Sequence, residues 1–290
     1  MFCPLIKRRA MACMWLCALI SNERAIGQPT VIDVPLQVLK HPTVKGIDDH
    51  DLNAILASVQ QILSDECSRI REACVIKLNR VTPKLRDAPL ADPDTAVARA
   101  RQLGLTGVGK ERPEDVKAVE AGIRTSVRNA NNTGNFKSLA VLSYLDLATS
   151  NTKPVTIHIV NRLDEGCPTA SVGEAGGCTV IYGNTAVISL YNYKSGSVRA
   201  AGQKWEPEDK HVWSHEIGHV LGLHDHQLHI SVVFDPAYFF LMSPRTLDKR
   251  DRLLPHEAQM IKQYRNTNIQ NYRKNCTILN DSAVINGACR

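Results

Sequence analysis

The chain has 290 residues, 43% of them hydrophobic and 5% aromatic, with 35 basic and 29 acidic side chains for a formal charge of +6. That length holds one large domain or two small ones, with ample core for an independent fold. The modest charge, with no basic stripe interleaved with aromatics, excludes a nucleic-acid surface.

At the amino end, Lys7, Arg8 and Arg9 precede an apolar run from Ala10 to Ile20, and Ala25-Ile26-Gly27 offers small residues at the −3 and −1 positions of a cleavage site. Residues 1–27 therefore read as a signal peptide, with an amino-terminal anchor or a buried helix as the bland alternative. The run is too short to cross a bilayer of ~30 Å as a helix, and no later stretch is longer. The expectation is a secreted monomer, extracellular or periplasmic, without stable membrane association once the signal is removed. Cleavage takes away Lys7, Arg8, Arg9, Arg24 and Glu23, which lowers the formal charge from +6 to +3. It also removes Cys3, Cys13 and Cys17 and leaves six cysteines of the nine. An even number suits disulfides in an oxidising compartment. Six cysteines permit 15 pairings. Consecutive ones lie close in sequence, so local staples are expected between Cys67 and Cys74, Cys167 and Cys178, and Cys276 and Cys289. Zinc ligation by these thiols is the rival reading, weakened by the absence of C-x-x-C spacing.

Residues 31 to 39 alternate, with Ile32, Val34, Leu36 and Val38 on one side, which is a strand pattern that Pro35 weakens by removing a ladder donor. Leu52, Ile55, Leu56, Val59, Ile62 and Leu63 follow helical spacing behind Asp48 and Asp49, either of which can cap the first turn. Cys74 to Val81 reads as a second strand, so strand, helix and strand suggest a parallel βαβ unit. Residues 82 to 153 form a helical insertion of unassigned role, with candidate helices at 93–104, 114–129 behind Pro113, and 135–149. Val155 to Val160, Thr179 to Tyr182 and Ala186 to Tyr191 read as strands, the last two joined by a tight turn at Asn184 and therefore antiparallel.

The informative segment is Trp213-Ser214-His215-Glu216-Ile217-Gly218-His219-Val220-Leu221-Gly222-Leu223-His224-Asp225-His226. Two histidines four apart on a helix point to the same side, so both imidazoles can bind one metal ion without bending the backbone. Glu216 sits beside the first of them, placed to act on an attacking water as general base rather than on the metal. Gly222 lets the helix end in the left-handed conformation and the chain turn back. Asp225, three residues on, then supplies a third ligand and leaves one position open, as a catalytic zinc site requires. One Zn²⁺ ion is expected. Composition alone would produce this string in on the order of one chain in ten thousand of this length. The bland reading is two histidines hydrogen-bonded within a core helix.

The string resembles the metzincin signature, with Asp in the place most members fill with His, and in that respect is similar to the snapalysin type. The resemblance implies a zincin-type α/β fold: a mixed five-stranded sheet with an antiparallel edge strand, an active-site helix and a smaller C-terminal subdomain. It divides the mature chain into a catalytic subdomain at 28–222 and a second at 223–290, which would close on a helix near Pro255 to Tyr264. It implies a methionine turn at Leu241-Met242-Ser243-Pro244, with Met242 beneath the metal. It also implies that Thr179, Val180, Ile181 and Tyr182 form the edge strand along which a peptide substrate lies extended. The activity implied is zinc-dependent endopeptidase, on protein or peptide substrates.

Several alternatives remain open at this level. An aspartate ligand makes the ion a weaker Lewis acid, and His224 or His226 could substitute for Asp225. Residues 28 to about 112 could be a pro-segment, with the catalytic domain starting near Pro113. A secreted protein-binding module with little turnover, or a structural zinc site with four protein ligands, competes with the peptidase.

Overall fold

The alternation at residues 31 to 39 becomes strand β1 (Thr30–Lys40) in the computed structural model, which describes residues 30–69, 74–107, 112–147, 153–164, 176–179, 184–192 and 195–223. The expected signal segment, the helix expected near Pro255 to Tyr264 and everything else after Leu223 lie outside the described residues. Pro35 is accommodated for a definite reason. The Val81 N–H bonds to the Leu36 carbonyl, so the backbone groups of Leu36 face the second strand and those of Pro35 face the other way. On that other side the neighbouring strand begins only opposite Leu36, so no ladder donor is lost at Pro35.

Helix α1 (Asp49–Arg69) follows, started by Asp48, whose Oδ1 accepts from the Asp51 N–H at 2.8 Å. Its stripe of Leu52, Ile55, Leu56, Val59 and Leu63 is buried against the sheet, each side chain contributing roughly 1.5–3 kcal/mol relative to exposure. Strand β2 (Cys74–Arg80) then runs parallel to β1, in register from Thr30 opposite Cys74 to Leu36 opposite Arg80. Its outer edge is covered, because the N–H groups of Ile76 and Leu78 bond to Ser64 Oγ and Gln60 Oε1 of α1. The short β3 (Arg86–Asp87) continues the pairing along the end of β1.

The next segment is the layer that covers the second face of the sheet. Helix α2 (Pro93–Gln102) is capped by Asp92, and helix α3 (Pro113–Thr133) ends at Gly134, whose φ of 73° is the left-handed stop. Both occupy the expected places, with α3 one turn longer than its periodicity suggests. The helix expected at 135–149 does not form. Asn135–Lys137 is strand β4, and a 3-10 helix occupies Ser138–Ser143. The 3-10 helix and the turn after it bury Ala140, Val141, Leu142 and Leu145, a closely spaced apolar run that sequence alone reads as α-helical.

Strand β5 (Val155–Val160) lies beside β1, and β6 (Arg162–Asp164) pairs with β4. The remaining strands are β7 (Gly177–Thr179), β8 (Thr185–Ser189), β9 (Tyr191–Asn192) and β10 (Ser197–Val198). The principal sheet runs in the order β2-β1-β5-β8-β7, parallel throughout except for β7, which is antiparallel to β8. The chain thus has a mixed α/β fold with a mostly parallel sheet and an antiparallel edge strand. Helix α4 (Pro207–Val220) packs with α1 on one face, over Ile32, Val34, Ile157 and Ile188, while α2, α3 and the 3-10 helix bury Phe136, Val160 and Val187 on the other. Among the described residues, no helix is long and apolar enough to cross a membrane.

Candidate metal centre

Helix α4 begins with a reciprocal cap: the Glu206 side chain accepts from the Asp209 N–H, and the Asp209 carboxylate accepts from the Glu206 N–H at 3.0 Å. Its lead-in is anchored to the start of α1. Arg199 forms a buried ion pair with Asp51 at 3.2 Å and lies 3.7 Å over the Trp205 ring. The Trp205 indole in turn donates to the Asp51 carbonyl at 3.2 Å. Burial works to raise the Asp51 pKa, but the Gly202 N–H and the Arg199 guanidinium outweigh it and hold the carboxyl below its ordinary range.

From Trp213 to Leu223 every residue is buried, so the polar side chains in this stretch need partners. His215 and His219 bring their Nε2 atoms to 3.1 Å, with the rings close to perpendicular at 82°. Two nitrogens each ~2.0–2.1 Å from one tetrahedral ion stand about 3.3 Å apart, so this pair is preset close to the spacing zinc requires. The tautomer of His219 also fits a ligand. Its Nδ1 lies 2.9 Å from the Leu223 carbonyl oxygen, which can only accept, so Nδ1 carries the proton and Nε2 keeps its lone pair.

The helix end makes that contact possible. Leu221 caps α4, Gly222 has a φ of 97°, the Leu223 N–H bonds to the Gly218 carbonyl, and the Gly222 N–H bonds to the His219 carbonyl. These two bonds define a Schellman turn, which swings the carbonyl of Leu223 back beneath the His219 ring. Gly222 was legible in the sequence as a stop. The service of Leu223 was not, although the rule that a metal-binding histidine needs a partner on its other nitrogen could have pointed there.

Glu216 is buried beside the histidines, and Thr179 on β7 donates from Oγ1 to its Oε2 at 2.5 Å. Thr179 thus lies on the strand at the edge of the sheet among the described residues, with its side chain buried and turned to the helix. Val180, Ile181 and Tyr182 lie outside the described residues, as do Asp225, His224, His226 and Met242. Cys178 is disulfide-bonded. Cys167, Cys276 and Cys289 fall outside the described residues, and the side chains of Cys67 in α1 and Cys74 in β2 are likewise outside them.

A second cluster, Asp48, His50 and Asp51, gathers potential ligand atoms within 4.8 Å of one another. Its carboxylates are already committed to the architecture, Asp48 as the α1 cap and Asp51 to Arg199 and the Gly202 N–H.

No protein-family model and no curated protein matches the chain. Among solved structures, it is similar to archaemetzincin from Methanopyrus kandleri, at 14% identity and a TM-score of 0.36, over 80% of this chain and 95% of that one. It is also similar to metalloproteinase-II from Bacteroides fragilis, at 13% identity and a TM-score of 0.36, over 85% of this chain and 59% of that one. At these scores the likenesses decide neither fold nor chemistry, which stand on the geometry above.

Proposed function

We propose that this chain is a zinc-dependent endopeptidase of the metzincin type, with His215, His219 and Asp225 as ligands of one ion and Glu216 as general base. The observation that carries the reading is the pair of buried Nε2 atoms 3.1 Å apart with a buried carboxylate on the adjacent residue. A histidine pair serving only a core helix has no use for that carboxylate. Bound zinc supplies an acidified water as nucleophile near neutral pH. The chain's own part is the movement of protons: Glu216 takes one from the attacking water and returns it to the leaving amine.

The substrate in this reading is an extended peptide. Among the described residues β7 is the sheet edge beyond β8, and its outer backbone groups are suited to pairing with a further strand. Export after cleavage near residue 27, a Cys167–Cys178 disulfide and the Met242 turn within a second subdomain at 223–290 belong to the same proposal. Metal analysis of the purified protein together with casein cleavage tests it. One zinc per chain and turnover abolished by chelator and by Glu216→Ala are expected. Zinc without turnover would favour a binding module, and four protein ligands would indicate a structural site.

A further inference from the structure

Where the edge strand meets the histidine helix, the described residues include a side-chain hydrogen bond from Thr179 to Glu216 and two residues that lack side chains, Gly176 and Gly177. Alternation along β7 puts Gly177 and Thr179 on the face that meets α4, while Cys178 turns to the opposite face and joins the apolar cluster there. On α4, Val212 and Glu216 are one turn apart and share the face that meets the strand. A β carbon at Gly176 would stand 2.7 Å from Val212 Cγ2. One at Gly177 would stand 2.3 Å from Glu216 Cγ, 2.5 Å from Cδ and 2.6 Å from Oε1. The carboxylate therefore lies on bare backbone, in space that any side chain at residue 177 would occupy. At its other oxygen, the 2.5 Å contact from Thr179 is in the range of a charge-assisted hydroxyl-to-carboxylate bond.

We propose that Thr179 is a positioning residue for Glu216: its hydroxyl, with the bare surface of Gly177, fixes the carboxylate in the orientation from which it serves as base. The helix sets the Glu216 α carbon but leaves three side-chain torsions to be settled, and a donor on the strand settles them. The inference rests on the peptidase reading above. It differs from a merely structural hydrogen bond in what it demands of the substitutions. Thr179→Val keeps the shape and loses the hydroxyl, whereas Thr179→Ser keeps the hydroxyl and loses a methyl group.

The test compares zinc-loaded wild type, Thr179→Val, Thr179→Ser and Gly177→Ala on a fluorogenic peptide. Thr179→Val is expected to lower kcat at least about 10-fold, part of the roughly 100- to 10,000-fold that a placed general base supplies. KM should stay within about twofold, zinc should remain bound, and Thr179→Ser should recover most of the rate. In a Glu216→Gln background the valine change should have no further effect, because the hydroxyl acts only through the carboxylate. Crystal structures of zinc-free Thr179→Val and Gly177→Ala supply a readout apart from activity, and should show the Glu216 carboxylate turned away from its present position. Gly177→Ala keeps the proposal testable if the valine variant does not fold, since the atoms it displaces belong to Glu216 itself. An active wild type with an unimpaired valine variant, or a carboxylate unmoved in both structures, would overturn the role of Thr179 alone. A wild type that binds zinc without turnover would remove the peptidase reading and this inference with it.

Discussion

The His219 imidazole donates from Nδ1 to the backbone carbonyl of Leu223, 2.9 Å away and four residues further along the chain. One turn of backbone thus both ends the helix and fixes the tautomer of a proposed ligand. The link between stopping and ligating is Gly222, because the carbonyl reaches the ring only if the residue between adopts a positive φ.

Gly222→Ala places a β carbon on a residue with φ of 97°, which costs of order 1–2 kcal/mol or forces the turn to open. An opened turn removes the partner of His219 Nδ1, and loss of such a partner typically weakens metal affinity 10- to 100-fold. Zinc titration of the variant by competition with a chromophoric chelator checks this. Affinity equal to wild type would show that the Leu223 contact does not tune the ligand.

Zinc that binds only the native state adds stability by mass action. Free zinc at a thousand times Kd contributes about 4 kcal/mol. For a domain of this size that corresponds to about 10 °C in Tm. Chelation should therefore lower Tm by that order, and His219→Ala and Asp225→Ala should start at the chelated value and respond to neither zinc nor chelator. Differential scanning calorimetry reads this directly. A zinc-responsive Asp225→Ala would move the third ligand to a neighbour such as His224 or His226.

What the sequence yields here depends on how local the cause is. The side of β1 that carries Ile32, Val34, Leu36 and Val38, the shared face of His215 and His219, and the α1 stripe apart from the half-buried Ile62 all follow from spacing within one element, and the structure forms them as expected. The 3-10 helix at Ser138–Ser143 reads as α-helical for the same local reason, since three-residue and 3.6-residue periods diverge little over two turns. The contacts that sequence could not supply cross the fold. Alternation says that Gly177 and Thr179 share a face, but whether that face meets a helix or solvent is decided by the packing of α4, 37 residues away at Glu216. The Arg199–Asp51 pair, separated by 148 residues, left no pattern in either segment.

Acid should destabilise the protein through His158. This residue on β5 is buried, stacked on Tyr144 at 4.3 Å, and burial with the nearby Arg99 charge lowers its pKa from 6.5 to about 4. The native state therefore keeps it neutral while the unfolded chain takes up a proton below about pH 6.5, so stability rises with pH across that window. Its contribution is fully present above pH 6.5 and falls by about 3 kcal/mol on reaching pH 4. His158→Phe preserves a stacked ring without a titrating nitrogen. Urea unfolding at pH 7 and pH 4.5 should show the variant losing less stability than wild type, and equal losses would assign acid sensitivity to other groups.

The Arg199–Asp51 pair makes a sharper demand, because both side chains are almost fully buried, at 3% and 7% exposure. Bringing two charges out of water costs several kcal/mol per ion, and here the cost is offset by a dense set of partners. Arg199 also donates to the Gly46 carbonyl at 2.8 Å and to the Gln203 carbonyl, while Asp51 also accepts from the Gly202 N–H at 3.1 Å. Arg199→Met fills much of the volume but leaves the carboxylate buried and unpaired, so it should cost about 3–5 kcal/mol. Adding Asp51→Asn to that variant removes the stranded charge and retains an acceptor for Gly202, and should recover part of the loss. The pair joins the start of α1 to the lead-in of α4, so the single variant should also lower zinc affinity by loosening the helix that carries His215 and His219. Chemical denaturation of the two variants, with zinc titration alongside, separates these effects. If the double variant were no more stable than Arg199→Met, the cost would lie in the lost Trp205 stacking and carbonyl contacts rather than in an uncompensated charge.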